Sequence, residues 1–214
     1  AFFAGSLVAA LAQGFMLGIY IMGLHYTLVS VGFACLSAVC LAASYALIGA
    51  GWLIIKTDGE LQKKAIGWAR EALWFTAIGM VAISLASPLA SARIHDKWFA
   101  LPAMAYMAPL PVLSALTFGW LWLTLRQLPK DLDRHAWVPF AGAALMFLFA
   151  FVGLAYSFYP YVVPDRLTIW DAAAADGSLI IILAGALVVL PMILGYTFLA
   201  YYVFRGKTTG LKYD

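Results

Sequence analysis

Three histidines, His25, His95 and His135, are the residue type in this chain most able to hold a metal or a haem iron. All three fall between long apolar runs, where water and lipid headgroups reach them, so each reads as an exposed polar residue rather than a ligand. Met16, Met22, Met80, Met104, Met107, Met146 and Met192 are scattered through the apolar runs and read as core filling. Cys35 and Cys40 share one run, but on a helix they point about 140° apart at roughly 100° per residue. A shared metal or a mutual disulfide is not expected of them. Gln13 is the only carboxamide inside an apolar run. It has the chemistry to bind a ligand or a partner helix, and an interhelical hydrogen bond beside Gly14 is the plainer use. There is no phosphate-cradling glycine loop and no Gly-x-Ser-x-Gly nucleophile turn. No catalytic residue is visible.

The elements that would position such residues are legible from composition. Apolar residues make up 65% of the 214 and charged residues 11%, against about 45–50% and about 25% in soluble domains. The absence of a basic stripe sets nucleic acid aside, and the absence of Asn removes any N-glycosylation acceptor. Six runs free of Asp, Glu, Lys and Arg cover 2–24, 28–55, 73–90, 101–125, 138–158 and 179–204. A bilayer core requires roughly 20 apolar residues in a helix, and helices satisfy their own backbone where lipid offers no partner. The expected fold is all-α: a polytopic transmembrane helical bundle forming one domain over 1–214.

Charge orients it. Lys56, Lys63, Lys64, Arg70, Arg126, Lys130, Arg134, Arg205, Lys207 and Lys212 fall on one side, and only Arg93, Lys97 and Arg166 on the other. The side rich in Lys and Arg is cytoplasmic in multi-pass proteins. Both ends of the chain, including a tail over 205–214, are therefore expected in the cytoplasm and 159–178 outside. Ala10, Gly14 and Gly18, and Ala34, Ala38, Ala42, Ala46 and Ala50, recur every four residues, a spacing that lets helix backbones approach closely. The stretch from Glu60 to Trp74 reads as a cytoplasmic helix leading into the third span, with Glu60 and Lys64 as an i,i+4 pair. Pro109 and Pro111 are expected to kink the fourth span, and Pro191 to break the last. Trp120, Trp122, Tyr156, Tyr159, Tyr161, Tyr201 and Tyr202 cluster at span ends as an interfacial belt.

Several longer motifs go further. They read Tyr-Pro-Tyr-Val-Val-Pro at 159–164, Leu-Thr-Ile-Trp-Asp-Ala-Ala at 167–173 and Tyr-Val-Phe-Arg-Gly-Lys at 202–207. Gly-Trp-Leu-Ile-Ile-Lys-Thr-Asp-Gly-Glu-Leu-Gln stands at 51–62, with Phe-Phe-Ala-Gly-Ser-Leu at 2–7 and Ala-Gln-Gly at 12–14. Together they resemble subunit II of the bacterial cytochrome bd-type quinol oxidases, with a flavour of the cyanide-insensitive branch. The resemblance implies nine spans, of which these would be the last six. The first three, with an acidic Asp-Gly-Phe-Asp-type signature, would precede Ala1. It further implies an inner-membrane subunit without haem ligands of its own, paired with a subunit I that holds two haems b, one haem d and the quinol loop. The complex would oxidise membrane quinol, reduce O2 to water and build a proton-motive force without pumping. A structural quinone or phospholipid is a candidate ligand, and Gln13 a candidate contact for it.

Within those motifs, Trp170 and Asp171 are candidates for structuring the outer loop or meeting subunit I, with Asp171 expected to cap the turn 171–178. Arg205 and Lys207 are expected to anchor the cytoplasmic end or grip lipid phosphate. A secondary transporter or permease half is the rival from another class, and a membrane scaffold a third reading. A transporter predicts polar groups or broken helices near midplane in paired, repeated halves; Pro109, Pro111 and Pro191 would break helices, but no repeat and no charge accompanies them.

Overall fold

The computed structural model describes residues 1–90, 92–101, 103–128 and 135–207. Lys130, Arg134 and Lys212, which enter the charge argument, lie outside them, as does the tail beyond Lys207. The described elements are helices α1 (Phe2–Ile21), α2 (Leu28–Lys56), α3 (Gly59–Ala90), α4 (Ala92–Phe99), α5 (Ala103–Met107), α6 (Pro109–Gln127) and α7 (Val138–Phe158). Strands β1 (Tyr161–Val163) and β2 (Leu167–Thr168), short helix α8 (Ile169–Ala172) and helix α9 (Asp176–Val203) follow. The strands form one antiparallel hairpin, and the other regular elements among the described residues are helices.

The long apolar runs become helices that expose Leu, Ile, Val and Phe side chains outward. α1, α2, α3, α7 and α9 are each long and apolar enough to cross a membrane. The run 101–125 behaves differently. It is divided into α5 and α6 with Ala108 between them, and Pro109 and Pro111 open α6 instead of kinking a continuous span. The physical reason is that a proline in the first turn has no backbone donor to lose there. α6 has 19 residues, about 28 Å at 1.5 Å per residue, close to the roughly 30 Å of a bilayer core.

Two other expectations are corrected. Pro191 does not break α9, which runs through it from Asp176 to Val203, and Pro88 likewise lies inside α3. Glu60 pairs at 2.9 Å with Lys63, one turn away at i+3, and not with Lys64. Both partners are well exposed, so the pair contributes little. The stretch from Glu60 to Trp74 and the third span are one 32-residue helix, α3.

α2 is the central element, packed on α1, α3 and α7, while α6 packs on α7 and α3. Backbone approach is set by glycine. A Cβ added at Gly14 would lie 2.5 Å from the Ala38 Cα, and one at Gly18 2.5 Å from the Ala34 Cα. Gly51 meets the backbone of Pro139 and Phe140 in the same way, and Gly79 meets Cys40. Two apolar clusters result. One gathers Leu47, Ile54, Ile66, Leu73, Leu121, Leu125 and Val138 near the end that holds the α2–α3 turn. The second joins Ile21, Ile94 and Phe158 at the opposite end, beneath the β-hairpin. No residue of α9 is buried.

Candidate functional site

The predicted residues fall into three places. The first is the α1–α2 contact. Gly14 and Gly18 are buried there, and the Gln13 Oε1 accepts a 2.9 Å hydrogen bond from the Tyr45 hydroxyl of α2. Tyr45 in turn stacks on Phe147 of α7, with ring centroids 5.9 Å apart. Phe147 forms one wall of an apolar groove of about 210 Å³ bounded by α1, α2, α3 and α7, whose other walls include Leu17, Ser37, Cys40, Met80 and Met146. Gln13 does not line this groove itself. It is connected to it through Tyr45.

The second place is the hairpin end. Trp170 is exposed, with its ring edge-on to Tyr159 at 6.3 Å. Asp171 does not cap the turn 171–178; it faces backward. Its Oδ2 accepts from the Thr168 hydroxyl at 2.5 Å and from the Thr168 N–H at 3.2 Å, while the Asp171 N–H donates to the Thr168 Oγ1 at 3.2 Å. This reciprocal arrangement starts α8, because a hydroxyl at the N-cap and a carboxylate three residues on satisfy two donors at once. The hydroxyl first and the amide second hold the Asp171 carboxyl below its ordinary value. A depressed carboxylate stabilises the folded loop at pH values above about 3.9, the unfolded value, and that contribution is lost as pH falls through the folded value. Asp171→Ala is therefore expected to quicken proteinase K cleavage across 173–175 at neutral pH. Equal cleavage rates for variant and parent would contradict the capping role.

Sequence reasoning missed the basic residues beneath this loop. The Arg93 Nε donates to the Asp165 Oδ1 at 2.7 Å, and its guanidinium lies over the Tyr161 ring, 4.5 Å from the centroid. The Lys97 Nζ donates to the Tyr156 and Tyr159 carbonyls at 2.7 Å each. Burial first, and the nearby Arg93 charge second, push the Lys97 ammonium below its ordinary pKa. Trp98 Nε1 donates to the Ser157 Oγ at 2.8 Å, and the Tyr20 hydroxyl to the Val162 carbonyl at 2.8 Å. α4 and α1 thus pin the C-terminal end of α7 and the hairpin. The separations, 72 residues for Arg93 and Asp165, leave no local sequence signal. The one hint was that these cations interrupt an otherwise weakly charged side.

The third place is the opposite end. Lys207 Nζ meets the Asp58 Oδ1 at 2.7 Å, Lys56 donates to the Phe204 and Gly206 carbonyls, and Arg205 lies over the Tyr202 ring at 4.6 Å. With the Trp52–Tyr201 ring contact at 5.2 Å, these contacts attach α9 to α2.

The donor set was tested for a haem or metal. His25 and His95 are exposed, and His95 packs its ring on Phe99. His135 is half-buried in the stretch before α7. None of the three lines the groove, and among the described residues no group of three His, Cys, Asp or Glu is arranged to hold a metal ion. Cys35 is exposed while Cys40 is buried against Gly79.

A sequence model of the family described as cytochrome bd terminal oxidase subunit II matches residues 1–204. No curated protein matches the chain.

Proposed function

Because the chain belongs to the cytochrome bd terminal oxidase subunit II family, we propose that it is the haem-free membrane subunit of a respiratory oxidase that oxidises quinol and reduces O2 to water. The observation that carries this reading is the family match across 1–204, nearly the whole chain. Five long apolar helices are consistent with a membrane subunit. The partner is a subunit I that binds the haems, which carry electrons from quinol to oxygen. This chain supplies packing surface and holds no catalytic residue. Two quinols give up four electrons and four protons, and one O2 takes four of each to become two waters. With quinol protons released outside and oxygen's protons drawn from the cytoplasm, the reaction charges the membrane without a pump.

In this reading the chain is one transmembrane domain of the bacterial inner membrane, and α6 is a sixth crossing. Its last turn is held beside the first half of α3 by Arg70, while α4 and α5 lead into it from the hairpin end. The end carrying Lys56, Arg70, Arg126 and Lys207 faces the cytoplasm, and the β-hairpin faces outward. Purification from membranes through a tag on this chain is expected to bring down a complex with a haem d band in its reduced-minus-oxidised spectrum and quinol-dependent O2 uptake. A pure, folded chain with no haem band would overturn the assignment.

A further inference from the structure

At the cytoplasm-facing end, α3 and α6 diverge around a pocket of about 240 Å³ bounded by Arg70, Leu73, Trp74, Trp122, Leu125 and Arg126. Its floor is apolar, since Leu73 and Leu125 are each 1% exposed. Its walls are two tryptophans, the residue that settles at the headgroup level of a bilayer. Its rim carries two guanidinium groups and, among the described residues, no carboxylate.

The two arginines are placed differently. Arg70 is fixed: its Nε donates to the Leu125 carbonyl at 2.9 Å, and its Nη2 donates to the Leu125 and Leu128 carbonyls at 2.6 and 2.8 Å. Those carbonyls form the C-terminal end of α6, whose partial negative charge would repel an anion. Arg70 covers two of them and turns the end of α6 electropositive. Arg126 lies flat on the Trp122 ring, 3.8 Å from its centroid, a stacking that orients the guanidinium and leaves its edge to donate. Neither arginine forms an ion pair among the described residues. Two cations of one sign held against tryptophan at a membrane surface, without a counter-ion among the described residues, make a seat for an anion with an apolar tail.

We propose that this α3–α6 pocket binds the phosphate of an anionic phospholipid, with Arg126 and the open edge of Arg70 on the headgroup and Trp74 and Trp122 against the upper acyl chain. The proposal rests on the membrane-spanning reading above and deepens it by naming a lipid class and a seat. The ligand is a lipid and not free phosphate, because the floor and walls are apolar and the pocket lies where a bilayer's headgroups would be. Basic pockets between spans on the cytoplasmic side have the chemistry such headgroups require.

The test uses the complex purified in detergent through this chain and titrated with phosphatidylglycerol or phosphatidylcholine, bound lipid being counted by native mass spectrometry. Arg126→Gln is expected to weaken phosphatidylglycerol binding about fivefold, the share of one basic group near a headgroup, and to leave phosphatidylcholine binding unchanged. Arg126→Lys retains the charge and most of the binding. Lys64→Gln, at an exposed lysine outside the pocket, changes neither, and millimolar inorganic phosphate does not displace the lipid. Unchanged phosphatidylglycerol binding in Arg126→Gln would overturn the site. Equal losses for both lipids would overturn it too. The haem spectrum of the same sample decides the oxidase reading separately, since lipid binding to the chain is counted whether or not haem is present.

Discussion

Gly18→Leu is expected to separate α1 from α2 and to remove most of the folded complex from detergent extracts. Even the first added carbon would stand 2.5 Å from the Ala34 Cα and 3.1 Å from both the Ala34 Cβ and the Ser37 Oγ. The obstacle at 2.5 Å is backbone, so no side-chain rotation relieves it. Overpacking a close contact costs about 1–3 kcal/mol and occasionally more, and leucine adds four carbons where one does not fit. In lipid the loss has no hydrophobic compensation, because helices there hold together by close packing rather than by escape from water. Gly14→Leu is expected to act alike through the Ala38 Cα at 2.5 Å. Gly49→Ala is the matched control, since its added Cβ meets nothing within 4 Å. Thermal melting followed by size-exclusion chromatography reads the difference. A Gly18→Leu variant that melts with the parent would show that α1 does not rest on α2 in this way.

Arg70→Leu is expected to release the C-terminal turn of α6. It deletes three hydrogen bonds from one guanidinium and strands carbonyls belonging to Leu125 and Leu128, whose side chains are each 1% exposed. Hydrogen bonds to a charged group contribute about 1.5–3 kcal/mol, and an acceptor left unpaired costs its desolvation in addition. The fork matters as well as the charge. Arg70→Lys places a single ammonium where two carbonyls are bridged from two nitrogens, so it restores only part of the loss. Amide exchange in 121–128 is expected to quicken strongly in Arg70→Leu and moderately in Arg70→Lys. Unaltered exchange in both would mean that the α6 end is held by packing alone.

The bundle was legible because its information is local. An uncharged run of 20 residues has few fates, and glycine or alanine every fourth residue marks a contacting face before the partner is known. Gln13 could be placed beside Gly14 for the same reason, although its partner Tyr45, 32 residues away, could not be named. What failed to show was pairing between distant residues and competition within a turn. Glu60 reaches Lys63 and Lys64 from nearly the same place, and only the backbone decides for Lys63. Asp171 had a cap available on either side, and the Thr168 hydroxyl three residues earlier took it. Pro109 reads equally as a kink or as a helix start, and the choice depends on where α5 stops. Arg70 looked like one more cytoplasm-facing cation. Its bonds to Leu125 and Leu128, 55 and 58 residues on, give it a specific structural place and create the pocket beside it.

Cysteine accessibility reads directly the direction in which these helices pass through the membrane. In a chain with Cys35 and Cys40 replaced by alanine, single cysteines at Leu101, Gln127 and Ser178 report on the turn that precedes α5 and α6, the end of α6 and the start of α9. In spheroplasts, a membrane-impermeant maleimide is expected to label Leu101→Cys and Ser178→Cys at once, and Gln127→Cys only after the membrane is opened. Labelling of Leu101→Cys and Gln127→Cys from the same side would contradict it, because α6 would then not cross and the basic end would not lie in the cytoplasm.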